Sequence, residues 1–242
     1  METRALSLFK KPSAVIPLLV LFLLPFTTDN IHFHHVLIMF MLFATLSQAW
    51  NVIGGYAGQV SFGHATFFGI GAYAALVLLK KFGLTPWAGM LIGGGVAVIL
   101  AILIGYPVFR LKGHYFAIST FAVAEIVERL FMNWDFVEGA IGLPAPVLPE
   151  NLFNFMWYKD KMPYFYIAFV FFVLVLLLAY KIERSRLGFY FRAIKQSPDA
   201  AEGLGIDTTK FKMVAMVISA FLTALCGSFY AQYILYIDPP SV

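Results

Sequence analysis

Long apolar stretches, separated by shorter polar connections, run along most of the 242-residue chain. A helix that crosses a bilayer needs about 20 mainly apolar residues, and about seven stretches approach that length. They lie near residues 12–28, 36–53, 65–79, 86–107, 115–131, 164–180 and 213–236. The pattern predicts an all-α, polytopic transmembrane helical bundle that forms one domain over residues 1–242.

Two of the predicted helices carry a small residue at every fourth position. One series is Gly89, Gly93, Ala97, Ala101 and Gly105, and the other is Ala215, Ser219, Thr223, Gly227 and Ala231. In lipid, small residues let two helix backbones approach closely. We therefore interpret both series as packing faces of a compact bundle and not as parts of a substrate site.

The composition is that of an integral membrane protein. Hydrophobic residues make up 61% of the chain and charged residues 12%, whereas soluble domains contain about 25% charged residues. Such a chain is neither disordered nor an ordinary soluble globule nor a nucleic-acid-binding arm. Its one cysteine, Cys226, allows no intrachain disulfide.

The basic residues between the predicted helices indicate the orientation, because cytoplasmic loops carry an excess of Lys and Arg. With the N-terminus in the cytoplasm, twelve basic residues fall inside and four outside, although the Lys80-Lys81 pair opposes the trend. The twelve are Arg4, Lys10, Lys11, Arg110, Lys112, Lys181, Arg184, Arg186, Arg192, Lys195, Lys210 and Lys212. This orientation makes residues 132–163 an extracytoplasmic loop and residues 181–212 a cytoplasmic loop, and it places Val242 outside.

Residues 54–64, between the second and third predicted spans, form a discontinuous segment. Their sequence, GGYAGQVSFGH, contains four glycines and suits a lipid-facing helix poorly. Irregular backbone at membrane depth is tolerated where protein buries it or where it lines a wet cavity, and transporters place binding or gating elements at such breaks. A cytoplasmic turn with glycine caps is the alternative, and composition alone does not separate the two.

The stretch from Gly55 to Tyr73, GYAGQVSFGHATFFGIGAY, resembles the permease subunits of bacterial ABC importers for branched-chain amino acids. The resemblance continues through residues 110–120 and 138–143 and then from Arg184 on to Tyr230, although Ala140 departs from a Gly-Gly pair that the family usually has there. Within the family, the chain looks like the larger, second permease type. The family continues with further spans beyond the equivalent of Pro239-Pro240, so we expect C-terminal spans to be missing from this sequence.

The resemblance implies a transport subunit rather than an enzyme. It would act in the bacterial inner membrane, surrounded by lipid, with a paralogous permease, two ATP-binding subunits that hydrolyse ATP, and an extracytoplasmic substrate-binding protein. The implied substrates are branched-chain or related small amino acids, and urea or short amides are the alternative, because similar permeases serve them. The chain has no G-x-x-x-x-G-K-[ST] motif for nucleotide phosphates, so we expect no cofactor in it, and no nucleic-acid partner.

The cytoplasmic loop has the residue types that start a helix, namely Ser197 as N-cap, Pro198 in the first turn and Asp199 at the positive helix end. By resemblance, this segment is the coupling helix that docks in a cleft of the partner ATPase. Its expected contact residues are Asp199, Ala200, Ala201, Glu202, Gly203, Leu204, Gly205 and Ile206. Small residues allow close approach, and apolar ones can anchor in a pocket. A solvated amphipathic loop is the alternative.

Candidate residues of the substrate pathway combine polar groups with aromatic rings. They are Gln59, Ser61, Phe62, His64, Phe67 and Glu125. A zwitterionic amino acid needs countercharge or helix-end dipoles for its polar end and an apolar pocket for its side chain, and an ionisable residue within a span is a functional candidate. Glu125 can instead form a structural pair with Arg129, four residues away on the same helix face, or stand at the rim of a cavity.

Two functions of other classes stay open. One is an ion-gradient-driven carrier, and the other is an intramembrane hydrolase with Ser61 as nucleophile and His64 or His114 as base. No orienting acid and no G-x-S-x-G motif accompany Ser61, which disfavours the hydrolase. The run of His32, His34 and His35 has ligand types that suit a divalent metal, but no cysteine accompanies it. We interpret that run as an outer-interface loop and expect no metal site.

Overall fold

The computed structural model describes residues 12–28, 30–111 and 113–241. In chain order, its α-helices are α1 (Pro12–Leu23), α2 (Ile31–Asn51), α3 (His64–Phe82), α4 (Pro86–Val108), α5 (His114–Met132), α6 (Met162–Arg184), α7 (Arg186–Gln196), α8 (Pro198–Gly203) and α9 (Thr208–Ile234). Two short strands, β1 (Leu143–Pro144) and β2 (Tyr236–Ile237), pair antiparallel. Arg4, Lys10, Lys11, Lys112 and Val242, which the orientation argument uses, lie outside the described residues.

Five of the described helical segments are long and apolar enough to cross a membrane. They are Ile31–Tyr56, His64–Phe82, Pro86–Val108, Met162–Arg184 and Thr208–Ile234. The prediction of an all-α polytopic membrane protein is confirmed. Helix α1 overlaps a shorter apolar segment, Ile16–Thr27. Helix α5 is 19 residues long but more polar, because it carries Glu125, Glu128 and Arg129.

Two helices begin about five residues before the apolar pattern predicts, because polar side chains cap them. The Asn30 side chain accepts a hydrogen bond from the His32 N–H at 2.9 Å and starts α2 at Ile31. The Asp207 side chain does the same for the Lys210 N–H at 2.9 Å and starts α9 at Thr208. The apolar pattern therefore marks the hydrophobic part of each helix and not its first residue.

The histidine run lies in the first turns of α2, so its interpretation as a loop is wrong. The capping bond at Asn30 extends the helix over all three histidines. His34 Nε2 lies 3.1 Å from the Pro25 carbonyl oxygen, and His35 Nδ1 lies 2.6 Å from the Tyr233 hydroxyl. Both side chains hold neighbouring segments of the protein together.

Helices α3 and α9 pack with their backbones in direct contact. A β-carbon at Gly71 of α3 would lie 1.9 Å from the Ala224 carbonyl oxygen, and one at Gly227 of α9 would lie 1.9 Å from the Phe68 carbonyl oxygen. The Ser228 hydroxyl donates to the Gly71 carbonyl oxygen at 2.8 Å across the same contact. Only glycine fits at these two positions, so they set the distance between the helices.

The two small-residue series predicted as packing faces are buried. All ten residues are buried, five on α4 and five on α9. A β-carbon at Gly89 or Gly93 of α4 would meet α3, and one at Gly105 would meet the side chains of Met213 and Met216 on α9. Helices α3, α4 and α9 thus form the central group, and α2 and α6 pack together beside α9.

The connection between α5 and α6 carries ordered structure. Lys80, at the end of α3, forms an ion pair with Glu138, and strand β1 pairs with β2 just beyond α9. The Glu150 carboxylate accepts hydrogen bonds from the backbone N–H groups of Tyr158 and Lys159, which lower the pKa of Glu150. The connection is therefore tied both to itself and to the ends of α3 and α9.

Replacing Gly71 by alanine should destabilise the protein, because the new β-carbon would overlap the backbone of α9. Overpacking of this kind costs about 1–3 kcal/mol, so the apparent melting temperature in detergent should fall by several degrees. Gly95→Ala on α4 is the matched control, because a β-carbon there would meet nothing within 4 Å. Equal stability of the two variants would contradict the backbone contact.

Candidate functional site

The chain is not α-helical between α2 and α3. Helix α2 passes into a π-helical turn, Val52–Tyr56, and α3 begins at His64. In the stretch between them, Gly58 has a φ of +69° and the Gln59 N–H donates to the Ile53 carbonyl oxygen at 3.0 Å. The break expected over residues 54–64 is therefore present in the structure.

A continuous chain of hydrogen bonds runs through this break. The Ser219 hydroxyl donates its proton to the Ala49 carbonyl oxygen at 2.6 Å, so His64 Nε2, 2.7 Å away, must donate to the Ser219 oxygen. His64 Nδ1 is then the acceptor, and the Ser61 hydroxyl donates to it at 3.2 Å. The Gly63 N–H in turn donates to the Ser61 oxygen at 3.3 Å. In a neutral imidazole, these bonds place the proton of His64 on Nε2.

This chain gives Ser61 and His64 a structural role. Both side chains are buried, and the chain joins α2, the break, α3 and α9. A hydrolase would need a carboxylate on the far side of the imidazole to orient it, and here that partner is the hydroxyl of Ser219. Buried hydrogen bonds of this kind help to hold helices together in lipid.

The same break attaches α5 to the bundle. The Phe62 N–H donates to the Thr120 Oγ1 of α5 at 3.0 Å. Four residues further along the chain, Thr66 is on the face of α3 that lies opposite α5. On the same face, the Tyr73 ring contacts the Phe131 ring of α5, with 4.8 Å between their centroids. These two contacts, at either end, show that α3 and α5 run in parallel.

A cavity of about 220 Å³ lies between α3 and α5. Its α3 wall consists of residues one helical turn apart, and its α5 wall repeats the pattern. The lining residues are Phe62, Ala65, Thr66, Gly69, Ile70, Tyr73, Phe121, Ala124, Glu125, Val127, Glu128, Phe131 and Pro239. The walls are therefore mainly aromatic and aliphatic, with two carboxylates on one side and two hydroxyls on the other.

The polar groups of this cavity have no partners in the part of the chain that the structure describes. Glu125 and Glu128 form no ion pair there, so the pair of Glu125 with Arg129 is not formed and Glu125 lines the cavity instead. Thr66 Oγ1 and the Tyr73 hydroxyl are buried without a hydrogen bond. A buried polar group without a partner costs free energy, so these groups are candidates for binding a ligand.

The six sequence-predicted pathway residues fall into separate places. Phe62 and Glu125 line the cavity. Ser61 and His64 belong to the hydrogen-bond chain, Phe67 is a core residue whose ring packs edge-on against His64 at 5.6 Å, and Gln59 lies in the break. Sequence reasoning missed Thr66, Tyr73 and Glu128. Their signal is the spacing of three and four residues shared with Phe62 and Glu125.

The predicted coupling segment forms helix α8, and most of it is exposed. The Ser197 side chain accepts from the Ala200 N–H at 3.3 Å, as expected of an N-cap. Of the eight predicted contact residues, only Ala201 is buried and Ile206 is half-buried, while Leu204 is 82% exposed. Glu202 is not free, because the Thr208 hydroxyl donates to its carboxylate. The apolar Leu204 side chain is therefore the most prominent feature of this surface.

Helix α7 connects this surface to the break. Lys195 Nζ, near the end of α7, donates to the Gly55 carbonyl oxygen at 2.8 Å. Gly58 packs against the same lysine, since a β-carbon there would lie 3.2 Å from the Lys195 Cα. The segment that precedes α8 is thus in contact with the segment that positions Phe62 at the cavity.

Residues 33–242 match the model of a protein family described as the permease component of the branched-chain amino acid transport system. The chain is 29% identical over 225 residues to the high-affinity branched-chain amino acid transport system permease protein LivM of Salmonella typhimurium, covering 84% of this chain and 53% of LivM. It is 26% identical over 213 residues to LivH of the same organism, covering 81% and 68% of the two chains.

A third relative is named for a different substrate. It is the nucleoside ABC transporter permease protein NupC of Lactococcus lactis, 22% identical over 223 residues, covering 82% of this chain and 68% of NupC. The identity to NupC is lower than the identity to LivM. The chain spans about half the length of LivM. No solved structure matches the chain.

Removing the Ser219 hydroxyl should destabilise the bundle. Ser219→Ala leaves the buried Nε2–H of His64 without an acceptor, which costs about 1–3 kcal/mol. Ser47→Ala is the control, because the exposed Ser47 hydroxyl bonds only to the Phe43 carbonyl oxygen within its own helix. Thermal unfolding in detergent should separate the two variants, and a Ser219→Ala protein as stable as Ser47→Ala would contradict the hydrogen-bond chain.

Proposed function

The chain belongs to the family of permease components of branched-chain amino acid transport systems, and we propose that it is the membrane-spanning permease subunit of an ATP-driven importer. The family is one of transport proteins rather than enzymes. With a paralogous permease, the chain would form the translocation path for branched-chain or related small amino acids. Similarity to both LivM and LivH supports a pair of related permeases.

The cavity between α3 and α5 is the observation that carries this proposal. Its aromatic and aliphatic walls suit an apolar side chain, and its unpartnered carboxylates and hydroxyls suit the polar end of a small solute. Of the predicted pathway residues, Phe62 and Glu125 would contact the solute, while Gln59, Ser61, His64 and Phe67 would hold the break and α3 in place. Urea or short amides remain the alternative solutes.

The proposal includes the orientation of the chain. The five long helices, together with α1 and α5, would give seven spans with a cytoplasmic N-terminus in the bacterial inner membrane. Residues 132–163 would then be extracytoplasmic, where a substrate-binding protein docks, and residues 181–212 would be cytoplasmic. The excess of basic residues in the latter segment supports this orientation.

Energy would reach the cavity from ATP-binding partners through α8. The exposed Leu204 would enter an apolar pocket of a partner, and the small residues beside it would allow close approach. Movement of α8 would pass to α7, and Lys195 would pass it to the break at Gly55. Because Phe62 follows in the same break, the cavity wall would move with the ATPase.

The proposed orientation predicts the labelling of introduced cysteines. Val147 and Leu204 are equally exposed, at 82%. The one native cysteine, Cys226, is fully buried and should not react with a thiol reagent. A membrane-impermeant maleimide added to intact spheroplasts should label Val147→Cys but not Leu204→Cys, and permeabilisation should expose the latter. The reverse pattern would overturn the orientation.

Truncating the exposed leucine should uncouple transport. In the complete importer, Leu204→Ala should lower ATP-driven leucine uptake by about tenfold or more, because a central apolar anchor contributes about 2 kcal/mol to docking. Leu204 contacts little within this chain, unlike Glu202, whose replacement would also break the bond to Thr208. Leu103→Ala on α4, at a leucine 66% exposed, is the matched control.

The same uptake assay separates the other classes of function. The importer should lose uptake when the ATP-binding subunits are omitted, whatever the ion gradient. Uptake that follows a proton or sodium gradient without those subunits would identify a carrier and refute the proposal. A normal rate for Leu204→Ala would refute the docking role of α8 alone.

A further inference from the structure

The two carboxylates that line the cavity are close neighbours on one helix. Glu125 and Glu128 lie three residues apart on α5, so they stand on one helix face about 4.5 Å apart along the axis. Within the described part of the chain, no cationic side chain pairs with either of them. A cation bound beside two adjacent carboxylates offsets their repulsion.

The opposite wall offers hydroxyl groups that the protein leaves unused. Tyr73 is 2% exposed and Thr66 is 5% exposed, yet neither hydroxyl has a hydrogen-bond partner. In the parallel register set by Phe62 with Thr120 and by Tyr73 with Phe131, the backbone positions of both glutamates fall between the levels of Thr66 and Tyr73. Two carboxylates on α5 thus stand on the wall opposite two hydroxyl-bearing residues of α3, in a cavity whose other walls are apolar.

We infer that this cavity binds the ammonium group of the substrate between Glu125 and Glu128, with the hydroxyl groups of Thr66 and Tyr73 on the opposite wall available to its polar end. The inference deepens the proposed function and rests on it. The apolar side chain of the substrate would lie against Ile70, Phe121 and Val127. The site would therefore recognise a primary ammonium joined to a small aliphatic group.

This chemistry separates the candidate solutes. A charged hydrogen bond between an ammonium and a carboxylate is about twice as strong as a neutral one, so an amine or an amino acid gains from both glutamates. Urea, amides and nucleosides have no ammonium group, and a carboxylic acid without one is repelled. Leucine and 3-methylbutylamine should thus bind, whereas 4-methylpentanoate, 3-methylbutanamide and urea should not.

Binding is best measured on the membrane complex of this chain with its partner permease and ATP-binding subunits, without the soluble binding protein. A ligand that binds the folded state raises the melting temperature by mass action. Leucine and 3-methylbutylamine should each raise it, while the acid, the amide and urea leave it unchanged. Equal stabilisation by 4-methylpentanoate or 3-methylbutanamide would overturn the inference.

Isosteric variants test whether the ligand that raises the melting temperature binds in the cavity. Glu125→Gln and Glu128→Gln should each weaken binding of 3-methylbutylamine by about tenfold or more. Glu183→Gln is the matched control, because Glu183 lies at the far end of α6 and half-exposed. Retained binding in both cavity variants, or an equal loss in the control, would contradict the assignment. The ligand series on the unmodified complex decides the matter if a variant fails to fold.

The hydroxyls provide a second, independent test. The double variant Thr66→Val/Tyr73→Phe removes both without breaking any hydrogen bond of the described protein, so it should be at least as stable as the parent and bind leucine several-fold more weakly. Undiminished binding would exclude the hydroxyls from the site. Stabilisation by sodium or magnesium alone that depends on the glutamates would identify a metal-cation site and overturn the inference.

Failure of this inference and failure of the proposed function give different results. If the complete importer takes up leucine but the membrane complex binds the acid as well as the amine, the ammonium site is wrong and the permease role stands. If the complete importer takes up no amino acid, the proposed function fails whatever the complex binds.

Discussion

The backbone contact between α3 and α9 is the constraint on which the rest of the structure depends. Gly71 and Gly227 leave no space for a β-carbon, so the two helices run side by side at a distance that glycine alone permits. At that distance, His64 at the start of α3 reaches Ser219 on α9. Because apolar side chains gain little by leaving lipid, these close contacts and buried hydrogen bonds fix the position of α3.

Because α9 holds one face of α3 in place, the opposite face of α3 forms a fixed wall of the cavity. The face with Phe62, Thr66 and Tyr73 is directed at α5, a helix that buries only Phe116 and Thr120 among its residues. A firmly held wall therefore stands opposite a lightly packed one that carries two carboxylates. In the proposed function, such an arrangement would allow the cavity to open and close while the polar groups of α3 keep their places. The break before α3, held by Lys195, is the point where movement would enter.

The sequence predicts the helices, the break and the small-residue packing faces because each depends on a local pattern. The helix starts at Ile31 and Thr208 are missed because each start is set by a single polar capping residue. A pattern of apolar residues contains no information about such a cap. Ser61 and His64 are assigned to the substrate because their partner, Ser219, lies 155 residues beyond His64. Thr66 and Tyr73 are overlooked for a similar reason: whether a hydroxyl is satisfied depends on the neighbouring helix.

The central claim is that a substrate crosses this bundle beside the held face of α3. Electron cryomicroscopy of the complete membrane complex with bound leucine tests it most directly. The account predicts ligand density between α3 and α5, with its amino group within hydrogen-bonding distance of Glu125 and Glu128. Leucine density elsewhere, for example in the depression lined by Trp50, Phe68 and Tyr230, with the space between α3 and α5 filled by a partner helix, would contradict it.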